Sequence, residues 1–302
     1  MVLAITGATG FIGVRVTAAA RARGWPIRAL VRDLSKAPKG PGVEAVEADL
    51  ADTTALRAAL DGATAVCHLA AYVPARMGDP DEAARCFEVN ALGTLRLLEA
   101  AQAAGAARMV AASSASAYRF SEKPVAEDAP LYPSARAPYY LASKIAGEVF
   151  IAHYAESRRL SAAILRVSSV YGPGMPPGGL IHAVASQLLA GQTAVLRNAG
   201  CYGGDYVFVD DVVRAIIAAL ESDIEGAVNV GLGRRVLIDE IGRTLADVCS
   251  VPHSLLQFQK PGERPDSGQA AIDISRARAA LGFEPTPLRE GLARFVESLS
   301  SR

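Results

Sequence analysis

Six short apolar runs, at residues 2–5, 27–31, 43–47, 65–69, 108–112 and 162–166, are each followed by a longer segment of helical character. Strand-like runs alternating with helical patterns argue for a parallel sheet whose strands are joined by right-handed helical crossovers. The intervening segments support this. Residues 82–104 bring Ala83, Phe87, Ala91, Leu95, Leu98 and Ala101 close to one helical face, and residues 139–155 behave alike. The expected fold class is α/β, a doubly wound parallel sheet.

The texture changes after Tyr171, because Gly172-Pro173-Gly174-Met175-Pro176-Pro177-Gly178-Gly179 can sustain neither a helix nor a strand. Beyond it the sequence predicts a helix over 180–190, a glycine-rich turn over 200–204 and a helix opening at Asp210. Residues 228–230 have the β-branched character of a further sheet member, and a helix over 238–249 and two short tail helices follow. The expected division is therefore interleaved. Residues 1–171 and 205–232 form a dinucleotide-binding domain, and 172–204 and 233–302 form a smaller C-terminal α/β lobe for substrate.

Composition narrows the partners. Lys plus Arg and Asp plus Glu both number 31, so no overall basic field exists to gather nucleic acid. No run of about 18 uncharged apolar residues is present, so no membrane span is expected. The first residues run straight into a strand without a basic, cleavable leader, which points to the cytoplasm. Cys67, Cys86, Cys201 and Cys249 have no paired spacing, and His68, His153, His182 and His253 form no ligand pattern. Reduced thiols and no metal site are expected.

The run Gly7-Ala8-Thr9-Gly10-Phe11-Ile12-Gly13 stands where the first strand hands over to a helix. Glycines there permit a tight turn and close backbone approach, and the free N–H groups and dipole of the helix favour a pyrophosphate. Gly7, Gly10, Phe11, Ile12 and Gly13 are therefore cofactor candidates in a Rossmann-type sheet. At the end of the second strand Val31 stands where an NAD-preferring site carries an acid, and Arg32 follows with a guanidinium suited to a 2′-phosphate. The alternative leaves Arg32 as a solvated charge and gives the ribose to Asp33. Asp49, with Leu50, could receive the adenine amino group or could instead cap the helix over 52–60. Leu69, Ala70 and Ala71 end the fourth strand in small residues that let a cofactor lie close, and His68 reads as packing.

Tyr140 and Lys144 are four residues apart in a helical segment and share one face. An ammonium beside a phenol stabilises phenolate, so a lowered Tyr140 pKa and proton exchange with a carbonyl or alcohol are expected. The strand before it runs into Ser113-Ser114-Ala115-Ser116-Ala117-Tyr118, which places hydroxyls at the carboxyl edge of the sheet. Ser114 could hold the substrate oxygen there, with Ser116 nearby.

With these motifs in order, the sequence resembles the extended short-chain dehydrogenase/reductases, the NAD-dependent epimerase/dehydratase type, nearly end to end. Further matches are Asn90-x-x-Gly93-Thr94, Arg166 before Tyr171-Gly172-Pro173-Gly174, Val209-Asp210-Asp211-Val212 and the tail from Arg264-Pro265-Asp266 through Leu281-Gly282-Phe283-Glu284-Pro285. The resemblance implies that Tyr140 is the acid/base, that Lys144 also binds the nicotinamide ribose, that Ser114 orients substrate and that Asn90 supports the cofactor site. It also implies a homodimer built through 82–104 and 139–155. Two departures matter. Ala115-Ser116 follow Ser114 where dehydratases of the family carry Asp-Glu, and Gly204 stands where nucleotide-sugar members commonly carry an Arg. Arg264, with Arg197 or Arg234 as alternatives, would then be left to bind an anionic substrate.

Three functions follow. The first is an NADP(H)-dependent ketoreductase, with NAD(H) as the other possible cofactor. The alternative is an NAD(P)-dependent nucleotide-sugar epimerase that works through a transient keto intermediate. The third, a redox-silent dinucleotide-binding regulator, is opposed by the intact Ser114, Tyr140 and Lys144. The substrate is a small carbonyl compound or a sugar in either enzymatic case.

Overall fold

The apolar runs become β1 (Leu3–Thr6), β2 (Ile27–Val31), β3 (Val43–Glu47), β4 (Ala65–His68), β5 (Arg108–Ser114) and β6 (Ser161–Val167). The computed structural model describes residues 1–158, 160–260, 262 and 267–300. All six strands pair in parallel, β1 between β2 and β4, with β3 outside β2 and β5 and β6 on the far side. A seventh strand, Gly226–Val230, joins β6 in parallel, so residues 228–230 do return to the sheet. The order Gly226–Val230, β6, β5, β4, β1, β2, β3 reverses direction between β1 and β4. Ligands of such sheets bind at the carboxyl ends on either side of that reversal.

Five helices frame the site: α1 (Gly13–Ala22), α2 (Thr53–Leu60), α3 (Ala83–Cys86), α4 (Gly93–Ala103) and α5 (Pro138–Arg158). Every residue of β1 and β4 is buried, as strands covered on both faces require. One apolar layer joins Val16 and Ala20 of α1 to Ile216 and Leu220 of the helix Val209–Glu221. The opposite layer joins Leu56 and Leu60 of α2 to Leu97, Leu98 and Ile151. A third cluster away from the sheet gathers Ile181, Leu188, Leu196, Ile241, Leu245 and Phe295. Among the described residues no helix is long and apolar enough to cross a membrane.

Two expectations change. The single helix over 82–104 is interrupted, because Phe87–Leu92 forms a π-helical turn between α3 and α4. The wider turn turns Asn90 inward, where it is buried, and such turns collect at functional sites. A hydrophobic period cannot register one, since the inserted residue only shifts the phase of the stripe. Within the turn over 200–204, Gly203–Gly204 is a short strand antiparallel to Val236–Leu237; that pairing spans the intervening chain and leaves no local signal.

A buried ion pair ties these layers to the loops. Arg166 on β6 donates to the Glu148 carboxylate of α5 at 2.8 Å, to the Tyr118 hydroxyl at 2.7 Å and to the Glu127 carbonyl at 2.8 Å. Tyr118 donates in turn to Asn229 Oδ1 at 2.8 Å, and Asn229 Nδ2 donates to the carbonyls of Val125 and Asp273. Removing one member of a buried pair strands the other charge in a place without water. Arg166→Ala is therefore expected to lose about 3–5 kcal/mol of stability, measured by urea denaturation. A loss below about 1 kcal/mol would show that water reaches Glu148.

Candidate active site

The turn between β1 and α1 is shaped by two missing side chains. Gly7 has φ +71°, and a Cβ there would lie 2.6 Å from Ala70 N, while a Cβ at Gly13 would lie 2.0 Å from the Gly7 carbonyl oxygen. The turn thus packs backbone to backbone against the end of β4. No side chain caps α1, and its first turn holds no acid, so the field at its N-terminus is left for an anion.

That turn opens on a cavity of about 400 Å³ lined by Gly7, Gly10, Arg32, Asp49, Leu50, Leu69, Ala70 and Ala71 of the expected cofactor residues. Phe11, Ile12 and Gly13 stand outside the lining: Phe11 lies under the Arg15 guanidinium at 5.6 Å, and Ile12 and Gly13 begin α1. The size, the glycine cradle and the uncapped helix fit a dinucleotide.

The structure shows what holds each of the two candidate acids. Asp33 accepts from Ser35 N at 3.0 Å and Ser35 Oγ at 2.6 Å and pairs with Lys36 at 3.2 Å. Those bonds, the Ser35 hydroxyl first, hold its carboxyl below the ordinary range, and Asp33 is absent from the cavity wall. Arg32, exposed on that wall, makes no ion pair or hydrogen bond with the described residues. Asp52, not Asp49, caps α2 by accepting from Ala55 N at 2.9 Å. Asp49 accepts from Ala51 N at 2.8 Å and keeps its place on the cavity.

Sequence reasoning missed Tyr72 and Arg85, which line the same cavity. The Arg85 guanidinium stacks 4.6 Å above the Tyr72 ring, and the Tyr72 hydroxyl donates to Glu82. Tyr72 was within reach as the next residue along the Leu69–Ala71 wall; Arg85 arrives there only through the course of the loop before α3.

Tyr140 and Lys144 lie on the first turns of α5. Lys144 is 8 % exposed, and burial pulls its ammonium down to about 8 against the opposing Glu148 carboxylate. Burial pushes the Tyr140 phenol up to about 12, with Cys86 adding to the rise. The expected lowering is therefore corrected: in the protein alone, lost hydration outweighs any help from Lys144.

Tyr140 lines a second cavity, of about 450 Å³, together with Ser116, Arg119, Phe120, Tyr132 and Gln269. The Ser116 hydroxyl accepts from Gln269 Nε2 at 2.8 Å. Ser114 Oγ accepts from Ser116 N at 3.2 Å and belongs to neither lining. Asn90 is likewise behind the wall, where its side chain accepts from Tyr72 N at 2.7 Å and donates to the Tyr72 carbonyl and to Ser143 Oγ, both at 3.0 Å. Arg264 lies outside the described residues.

A parallel sheet with a glycine turn at its switch point, and a Tyr-x-x-x-Lys helix beside it, defines a nicotinamide-dependent enzyme fold. The chain belongs to the NAD dependent epimerase/dehydratase family, whose pattern it matches over residues 3–231. It is 33% identical to the UDP-glucose 4-epimerase of Mycolicibacterium smegmatis, across 97% of this chain and 96% of that one. It is 35% identical to a 3-diazoavenalumate denitrifying reductase of a Streptomyces species, across 96% and 98%. Among solved structures it is similar to UDP-glucose 4-epimerase from Thermotoga maritima with UDP-glucose, at TM-score 0.88, 26% identity and coverage of 100% and 99%. The Thermus thermophilus UDP-glucose 4-epimerase complex with NAD gives 0.84, 29% identity and 99% of both chains. These likenesses favour the epimerase alternative over the ketoreductase reading placed first from sequence.

The buried ammonium has a thermodynamic consequence. The unfolded chain holds the Lys144 proton up to the ordinary 10.5 and the folded protein only to about 8, so folding is penalised below pH 8 and relieved as pH rises towards 10.5. Lys144→Met is expected to melt a few degrees higher than the wild type at pH 7, since about 1 kcal/mol moves the midpoint by about 2–4 °C in proteins of roughly this size. The gain should narrow between pH 7 and 9.5. Calorimetry without cofactor reads both, and an unchanged or lower midpoint at pH 7 would show that Lys144 is compensated.

Proposed function

We propose that the protein is an NAD(P)-dependent epimerase of a nucleotide-linked sugar that acts through a transient keto intermediate. The observation that carries this reading is the position of Tyr140 and Lys144. They share a helix face; Tyr140 opens on a cavity for substrate that is separate from the one suited to a dinucleotide, and Lys144 reaches a small pocket lined by His68, Thr94 and Ser113. Full-length likeness to sugar-nucleotide epimerases adds support. Residues 1–171 and 205–232 serve the cofactor in this reading, and 172–204 and 233–302 serve the substrate.

When bound, the nicotinamide supplies the acceptor and then the donor of one hydride. Tyr140 takes the hydroxyl proton as the sugar carbon becomes a carbonyl, and gives it back after the carbonyl has presented its other face. With its pKa near 12 the free phenol holds its proton at neutral pH, so the donating half is ready, and the accepting half draws on the Lys144 ammonium. Ser114 Oγ accepts from Ser116 N, which leaves its proton uncommitted behind the wall, and Ser116 brings a hydroxyl onto the substrate cavity itself. Gly204 offers no side chain to a diphosphate. Arg119, exposed on the substrate cavity and without an ion pair or hydrogen bond to the described residues, supplies a guanidinium for an anionic group there.

A second reading, an NADP(H)-dependent reductase, is favoured by Arg32 on the cofactor cavity and by Asp33 being held in its own turn. The two separate experimentally. An epimerase retains oxidised cofactor through purification and interconverts UDP-glucose with UDP-galactose, or inverts UDP-glucuronate, without net cofactor consumption. Tyr140→Phe should lower that rate about 10²- to 10⁴-fold and leave the fold intact. Cofactor that exchanges freely, no inversion of these three sugars, and stoichiometric NADPH oxidation by a carbonyl compound would move the assignment to the reductase.

Arg32 makes a second expectation independent of substrate. A guanidinium on a phosphate contributes about 1.5–3 kcal/mol, so NADPH should bind about tenfold or more tightly than NADH, and Arg32→Ala should erase the difference. Equal affinities in the wild type, measured by calorimetry, would leave Arg32 as a surface charge.

A further inference from the structure

His68 ends β4 with 2 % of its surface exposed, and the hydrogen bonds around it favour one placement of its ring proton. Thr94 Oγ1 donates to the Asn90 carbonyl at 2.6 Å. With its single proton on that shorter bond, the 3.0 Å contact with His68 Nε2 has Nε2 as the donor. On the other side Thr6 Oγ1 lies 2.7 Å from His68 Nδ1 and accepts from Ala70 N at 3.2 Å. A neutral ring protonated at Nε2 has a bare Nδ1 to accept from Thr6. The opposite tautomer would set two lone pairs against each other at Thr94. A charged ring would add a buried cation near Lys144, and burial together with the Lys144 ammonium lowers the imidazole to about 3.

The chain of bonds runs further in both directions. Ala70 belongs to the cofactor wall and packs against Gly7. Asn90, whose carbonyl ends the His68 branch, clamps Tyr72 of the same wall with its side chain and donates to Ser143 Oγ, which donates to the Tyr140 carbonyl at 2.7 Å. Thr6, His68, Asn90, Thr94 and Ser143 are all buried, so water cannot substitute for a missing partner without a cost.

We propose that His68 is a positioning residue: a neutral imidazole locked as the Nε2–H tautomer that fixes the cofactor wall at Ala70 relative to the helical turn carrying Tyr140. Thr6 seats its Nδ1 edge and Thr94 its Nε2 edge, so the ring acts as a strut of set length between β1 and the first turn of α4, where Thr94 in turn bonds the Asn90 carbonyl of the π-turn. Its role in catalysis rests on Tyr140 being the acid/base; its tautomer does not.

Two measurements on the full-length protein test this. Heteronuclear NMR of the imidazole nitrogens should find His68 neutral and protonated at Nε2, with no titration between about pH 5 and pH 8, where a free histidine would titrate. An Nδ1–H tautomer, or titration in that range, overturns the proposal whatever the enzyme's substrate. The second uses His68→Phe, which keeps a ring of similar shape and loses both bonds, and His68→Gln, which restores a donor towards Thr94. Misplacement of reacting groups by about 1 Å costs up to a hundredfold. His68→Phe should accordingly weaken NAD+ binding and lower kcat with UDP-glucose about tenfold to a hundredfold among molecules that remain folded, and His68→Gln should recover part of both. A lowered melting midpoint with wild-type kcat and NAD+ affinity would mean simple packing and overturn the strut. If UDP-glucose is not turned over by the wild type, NAD+ affinity carries the second arm, and its indifference to both substitutions is the overturning result.

Discussion

The backbone of Gly7 lies against that of Ala70 more closely than any side chain would permit, and the rest of the site follows from that contact. It brings the end of β1 to the end of β4 at the point where strand order reverses. The first turn of α1 faces the same gap without a cap of its own. The resulting cavity fits a dinucleotide and takes much of its lining from the ends of β1, β2 and β4 and the turns that follow them, so its shape depends on the sheet being held in register. Buried polar residues stand at and behind that wall: Thr6 lines the cavity itself, and His68, Asn90 and Thr94 lie behind it.

The electrostatics of α5 work against stability and towards chemistry. An unpaired ammonium in the interior costs folding free energy, and a phenol stripped of water resists ionisation. Both groups are displaced from their ordinary pKa values towards their neutral forms. Perturbed groups of this kind collect where protons are moved. The compensating pair sits one helical turn further along, where Glu148 meets Arg166. From there Tyr118 and Asn229 reach the loop before α5 and the tail. The wall of the substrate cavity is thus anchored to the sheet through the same carboxylate that offsets part of the penalty on Lys144.

What the sequence by itself determined is the sheet, the glycine turn and the spacing of Tyr140 and Lys144. Strands buried on both faces, as β1 and β4 are, must be apolar throughout their length and so were legible as runs, and the half-exposed edge strand β3 still showed Val43, Ala45 and Val46. The glycine turn and the Tyr-x-x-x-Lys pair are each contiguous enough to be read locally. Only the folded structure decided the rest, because each remaining feature depends on which of several possible partners a side chain meets. The Asp49 and Asp52 roles separated only when α2 was placed against the cavity. Asp33 is held by Ser35 and Lys36 of its own turn, and Arg85 reaches the cavity from α3. The Tyr140 phenol rises where isolated chemistry expected it to fall, since the protein packed around it favours the neutral phenol. His68 read as packing because its meaning lies in the directions of bonds to Thr6 and Thr94, which are 62 and 26 residues away. A donor's direction is set by every partner around it, and those partners meet only in the folded chain.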